Sequence, residues 1–226
     1  MDWIHIFLLF LSFVIMAYGA EPASVLLGKA IEYYQGRKYH ECILAFEKLR
    51  QHYQLNPRFT AYLGFSYYKT QQYPEAIDFL EESIPSLKAY SPQEQAVYLY
   101  ACAESHFALA QYSEALPYYT QALPLINGLD KADVNYHMAF CYYFQSTDST
   151  SVNQTIQHFT SANDIYRESA RQSALSELHT ARLSQTENML RALRKSLPQQ
   201  ADSIPGKAPI DSITAKVPVD SIPTLP

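Results

Sequence analysis

The side chains with the greatest chemical potential in this sequence are two Cys/His pairs. Cys102 and His106 stand four residues apart, and so do His137 and Cys141. On a helix that spacing puts both side chains on one face. Two such pairs on neighbouring helices could supply a Cys2His2 ligand set for zinc. The competing reading is that they fill apolar helix positions, where a free cysteine behaves as a small hydrophobe. Cys42 also sits in an apolar pattern, and three cysteines cannot make a complete disulfide framework. The remaining helix-region histidines, His40, His52, His158 and His179, read as scattered over surfaces, and Glu81-Glu82 reads as a solvated face.

Catalytic motifs are missing. The sequence has no His-Glu-x-x-His, no Gly-x-Ser-x-Gly and no glycine loop able to cradle a phosphate. It therefore reads as a non-enzyme that requires no cofactor. The net charge of −5 and the lack of any basic cluster exclude a nucleic-acid partner, because counterion release needs a concentrated cationic patch.

A second kind of modifiable residue is serine in Asp-Ser-Ile. Ser203, Ser212 and Ser221 carry this motif at a nine-residue interval, and Asp148-Ser149-Thr150 has the same pattern. It resembles the short acceptor of protein O-glycosylation in the envelopes of one group of Gram-negative bacteria. The alternative is a spacer that recurs by duplication. Asn153-Gln154-Thr155 is an N-glycosylation sequon relevant only to a eukaryotic secretory route.

The elements that carry these residues follow from the repeats. Tyr39-His40-Glu41-Cys42-Ile43, Tyr73-Pro74-Glu75-Ala76-Ile77 and Tyr112-Ser113-Glu114-Ala115-Leu116 share Tyr-x-Glu-small-aliphatic. Their small residues are 34 and then 39 apart, each followed four later by Phe46, Leu80 or Tyr119. Upstream echoes are Leu63-Gly64-x-x-Tyr67, Cys102-Ala103-x-x-His106 and Met138-Ala139-x-x-Tyr142. Small residues let two helices approach, and large ones nearby fill the groove between them. One such hairpin cannot bury its own apolar face, so units must stack.

These motifs resemble the tetratricopeptide repeat family over 23–165, in four units, with Thr155 at the small position of a degenerate fourth. The resemblance implies an all-α fold, a right-handed superhelical stack of helix-turn-helix units. A capping helix region at 166–197 follows, with Leu175, Leu178, Met189, Leu190, Leu193 and Leu197 on its apolar side. Caps mark the junctions. Ser91-Pro92-Gln93-Glu94 reads as a capping box, Asp130-Lys131-Ala132-Asp133 reads similarly, and Asn127-Gly128 reads as a helix stop. Pro85 and Pro124 should each end or kink a helix. Ser146 to Ser151 reads as a polar insertion between the helices of unit four.

At the ends the composition changes. Ile4 to Ala17 is almost wholly apolar and leads to Ala17-Tyr18-Gly19, so 1–19 reads as a signal peptide or an uncleaved anchor. That places the protein outside the cytoplasm, in a bacterial periplasm or cell envelope, touching membrane only through this segment if it is retained. Residues 198–226 are Pro-rich without helical period and read as a disordered tail.

In the family the first helices of the units line a concave groove that holds a partner protein. Carried over by position, the groove here includes Leu27, Ile31 and Tyr34; Ala61, Phe65, Tyr68 and Lys69; Val97, Tyr100, Glu104 and Phe107; and Tyr136, Phe140, Tyr143 and Phe144. Such an aromatic row suits an apolar or amphipathic segment of an envelope protein. The family's carboxylate clamp is absent, with Leu27, Ile31 and Ala61 at its positions. The expected function is a non-catalytic scaffold or adaptor. The alternatives are a metal-stabilised accessory subunit of an envelope enzyme or secretion machine, and a groove filled by the chain's own tail or signal helix.

Overall fold

The structure is a computed structural model, which describes residues 21–145 and 148–196. Four antiparallel helix pairs follow one another: α1 (Ala23–Gln35) with α2 (Tyr39–Arg50), α3 (Pro57–Lys69) with α4 (Tyr73–Ser83), α5 (Pro92–Ala108) with α6 (Tyr112–Ala122), and α7 (Gly128–Gln145) with α8 (Ser149–Gln172). A last helix, α9 (Glu177–Ser196), packs on α8. No strand occurs among the described residues. Residues 1–19, expected to be a signal peptide or anchor, and the Pro-rich residues 198–226, with Ser203, Ser212 and Ser221, lie outside the described residues.

Every small residue of the repeat is fully buried: Cys42, Ala76 and Ala115 on the second helices, Gly64, Ala103 and Ala139 on the first. At Gly64 the approach is tightest. A Cβ there would stand 2.9 Å from Leu80 Cγ and 3.0 Å from the Leu80 backbone nitrogen. Thr155 is also buried, and its hydroxyl donates to the Ser151 carbonyl of its own helix at 2.8 Å, which lets a polar residue stand where alanine is usual. Burial pushes the thiol of Cys42 up to about 11, and those of Cys102 and Cys141 higher still, so all three remain protonated at neutral pH.

The turns inside the first three units are identical in design. Arg37, Gln71 and Ala110 adopt φ of 58°, 62° and 57°. After each, an amide closes back on the carbonyl five residues earlier: Lys38 to Tyr33, Gln72 to Tyr67, Gln111 to His106. This is the Schellman closure, usually made with glycine. A side chain in the left-handed region costs roughly 1–2 kcal/mol, and glycine returns about half of that to the unfolded chain as entropy. Ala110→Gly is therefore expected to stabilise the protein by about 0.5–1 kcal/mol, read as a rise in the midpoint of a urea or thermal unfolding curve.

The prolines act as their positions imply. The α-helices stop at Ser83 and Ala122, and the chain continues as 3-10 turns at Ile84–Ala89 and Leu123–Leu125. Three boundaries differ from expectation. Gly128, at φ 59°, begins α7, so Asp130 lies in its first turn and Asp133 well inside it. The described part of the apparent polar insertion, 148–151, opens a helix: Asp148 caps α8, accepting the Ser151 amide at 2.8 Å, and Ser149 to Ser151 form its first turn. The second helix of unit four runs to Gln172, because Phe159, Ala162 and Tyr166 continue one buried face past 165. The capping helix thus starts at Glu177, and its buried face is Arg182, Thr186, Met189 and Leu190.

Candidate functional site: an aromatic groove and its closed end

Helices α1, α3 and α5 bring aromatic rings from three units to one concave surface. Tyr34 of α1 stacks on Tyr62 of α3, centroids 3.9 Å apart and planes within 10°. Phe65 meets Tyr34 and Tyr39 edge-on at 5.9 Å each and Tyr98 of α5 at 6.3 Å. Stacked and edge-on contacts of this kind restrict the rings, so less side-chain entropy remains to be lost on binding. Together with Lys69, Val97 and the segment Leu125–Asn127 they enclose a groove of about 720 Å³.

The floor of this groove is polar in an unusual way. Tyr68 and Tyr100 are buried, and their hydroxyls find no hydrogen-bond partner among the described residues. Burial, reinforced by the Glu104 carboxylate, pushes both phenols well above their usual range, so each carries its proton and can donate it. The rim is cationic at one end. The Lys69 ammonium lies 5.7 Å from the centroids of both Phe65 and Tyr68. Its pKa is lowered, first by burial and then by the charge of Arg37, which also lines the groove. Neither cation has a carboxylate partner among the described residues. Arg58, by contrast, is satisfied: its guanidinium grips Glu94 of α5 in two bonds of 2.8 and 2.7 Å. Glu94 thereby serves the α3–α5 seam, while Ser91 still caps α5 by accepting the Glu94 amide at 3.2 Å. Only half of the expected capping box is formed.

The proposed groove residues divide into three groups. Tyr34 and Phe65 are half-buried and line the groove, with Tyr68 and Tyr100 beneath them. Phe107, Tyr143 and Phe144 form a separate edge, where exposed Phe144 stacks on Tyr112 at 4.8 Å and Phe107 meets Tyr112 at 5.4 Å. Tyr136 and Phe140 are not open to a partner at all. They are 2% and 3% exposed, packed with Phe159, Met189 and Leu190. The Tyr136 hydroxyl donates to Gln185 of α9 at 2.6 Å, and burial pushes it up to about 12. The reason lies in the repeat: Ala61, Tyr100 and Tyr136 hold the same place, three residues before the small one, and all three are buried. On unit four, α8 and α9 supply that cover.

Two buried ionic clusters escaped the sequence reading. Asp133, fully buried on α7, receives a hydrogen bond from Tyr166 of α8 and faces His179 at 3.3 Å and Arg182 at 2.6 Å, both on α9. The Arg182 Nη1 contact is close but off the hydrogen-bond line, so it is an ion pair and not a well-formed bond. In the second cluster, buried Glu104 accepts from Tyr119, with His137 Nδ1 at 2.6 Å, again out of line. His158 is buried too, hydrogen-bonded to Asn135 at 2.9 Å, and burial lowers its pKa. Thus His158 and His179 belong to packed clusters and not to the surface.

The four zinc candidates are not brought together. His137 is engaged by Glu104, whereas Cys102 and His106 face Glu81. Ser149 is exposed at the start of α8.

Comparison with known proteins agrees with this architecture. Residues 57–127 match the model of the tetratricopeptide repeat family. No curated protein matches the sequence. Among solved structures, the yeast histone chaperone Hif1, described as a scaffold protein recruiting protein complexes to core histones, superposes with a TM-score of 0.59 at 10% identity. The match covers 76% of this chain and 95% of that one. MamA (MSR-1 C2) gives 0.52 at 15% identity over 78% and 91%. A putative kinesin light chain of Podosopora anserina with nearly identical TPR-like repeats gives 0.51 at 16% over 80% and 91%. Residues 57–127 are thus tetratricopeptide repeats, and the same helix hairpin recurs on either side of them in one all-α stack.

Proposed function

We propose that this chain is a non-catalytic protein-interaction scaffold whose groove holds an apolar or amphipathic segment of a partner. One observation carries the reading: rings from three successive units converge on a groove whose cationic end, Arg37 and Lys69, has no carboxylate partner among the described residues. Aromatic anchors supply contact area, and an acidic group on the partner would relieve the repulsion between the two cations. The scaffold role of the structurally similar Hif1 is of the same kind. The apolar segment at 1–19 supports a place for the protein in a bacterial cell envelope.

The test is co-purification from cross-linked envelopes. The baits are wild type and the triple variant Tyr34→Ala, Phe65→Ala, Lys69→Ala, chosen because these side chains are half-buried and line the groove, unlike Tyr136 and Phe140. Specific envelope proteins are expected with wild type and not with the variant, at equal helicity. The same proteins with both baits would overturn the groove as the binding surface.

A further inference from the structure

At the seam between units two and three, outside the groove, lies a cluster that the scaffold reading does not use. Glu81 lies in the last turn of α4, Cys102 and His106 occupy one face of α5, and Tyr118 of α6 covers them. We infer that Glu81, Cys102 and His106 form a zinc-binding site.

The geometry is compact. Each residue offers one ligand atom, and the three atoms lie within 4.8 Å of one another. Zinc bonds at about 2.0–2.3 Å place two tetrahedral ligands roughly 3.3–3.8 Å apart. His106 Nε2 and Glu81 Oε1 are already 3.1 Å apart, and the half-exposed Glu81 side chain is the member free to turn. Cys102 is one helical turn from His106 and cannot move away from it.

The hydrogen bonds around His106 point the same way. Its Nδ1 is 2.8 Å from the Gln111 side-chain oxygen. An oxygen acceptor there requires Nδ1 to carry the proton, which leaves the Nε2 lone pair aimed at Glu81. Glu81 Oε1 already accepts from the Tyr118 hydroxyl at 2.8 Å. A lone pair and a carboxylate oxygen facing each other need a positive charge, supplied either by a second proton on the imidazole or by a metal ion. Histidine ligands are held in this manner, donating the other ring N–H to an oxygen. Gln111 is itself fixed, because its amide closes the turn onto the His106 carbonyl at 2.9 Å. The Tyr118 ring stacks on the imidazole at 5.6 Å and sets its plane.

Ligand chemistry selects the ion. Zinc would displace the Cys102 thiol proton to solvent, as metal binding does at a coordinating thiol. The resulting thiolate with imidazole disfavours magnesium and calcium, and a Cys/His/carboxylate set suits zinc, with a fourth position left to water. Glu81 is 45% exposed, so an ion can enter from the outer surface. A site here would bridge α4 and α5, and hence two units of the stack.

The experiment is titration of the purified full chain with zinc chloride, followed by calorimetry, and with cobalt(II), followed by absorption. One equivalent of zinc is expected to bind, and cobalt should show a thiolate charge-transfer band. Cys102→Ser should abolish that band, whereas Cys42→Ser and Cys141→Ser should keep it. Because Cys102 is buried, an exposed ligand provides a second arm. Glu81→Gln should weaken zinc binding by at least the tenfold seen for lost outer-shell partners, while Glu82→Gln leaves it unchanged. No stoichiometric binding to wild type would overturn the site and leave His106 and Glu81 as an ion pair. A band that survives Cys102→Ser, or affinity unchanged in Glu81→Gln, would overturn it as well.

Discussion

Asp133→Asn is expected to destabilise the protein by about 3–5 kcal/mol, the usual cost of stripping one partner from a buried ion pair. Asp133 is fully buried, and Arg182, 6% exposed, would be left with its charge uncompensated. The amide keeps one acceptor oxygen, so one of the two donors, Tyr166 or His179, would face an NH2 group in place of its acceptor. The damage should begin locally. In a linear stack each unit contacts only its neighbours, so the C-terminal end should open first. Hydrogen exchange should show α9 and α8 unprotected while α3 and α4 remain protected. Equal loss along the whole chain would contradict this. The double variant Asp133→Asn, Arg182→Met should recover part of the loss, since it removes the orphaned charge while keeping its bulk.

The same cluster has a pH signature. Burial alone would raise the Asp133 carboxyl, but the hydrogen bond from His179 and the charge of Arg182 outweigh it and hold the group below its ordinary value of 3.8. A carboxyl lowered by folding contributes stability that is present above its unfolded value and disappears as pH falls through the folded one. His158, lowered by burial, works in the same direction from its ordinary 6.5 downwards. Stability should therefore fall in two stages on acidification, and Asp133→Asn should shrink the lower one, to which the lowered carboxyls of Glu114, Asp148 and Glu168 also contribute. Urea midpoints measured from pH 7 to pH 3 would show this.

The second large effect is expected at Gly64. Gly64→Leu should cost about 3 kcal/mol, the upper end for overpacking a core. The nearest obstacles to a Cβ are Leu80 Cγ, the Leu80 backbone nitrogen and Phe79 Cβ, and backbone cannot turn aside as a flexible side chain can. The change would push α3 from α4 and tilt the wall that carries Phe65, Tyr68 and Lys69. Groove binding should fall together with thermal stability. Gly64→Ala is a milder probe, because the better helix propensity of alanine offsets part of the clash. A Gly64→Leu variant as stable as wild type would show that the two helices are not pinned there.

Gly64 and Asp133 mark the boundary between local and tertiary information. The sequence by itself determined the helical pairs, the small residues at their crossings and the prolines that end α4 and α6. Those are local facts: a period of 3.6 fixes which face of a helix is apolar, and a small residue on that face lets one neighbour approach. It also placed Tyr34, Phe65, Tyr68 and Tyr100 together, since equivalent positions of stacked units fall in register. The tertiary structure alone decided which apolar faces remain open. Phe140 holds the same repeat position as Phe65, one residue after the small one, yet α8 and α9 cover it. It alone also paired Asp133 with Arg182, 49 residues on, and Glu81 with His106, 25 residues on. Helical period says nothing of a polar residue's partner. Pairing depends on how far one unit rotates against the next, and that angle is set by the packed core as a whole.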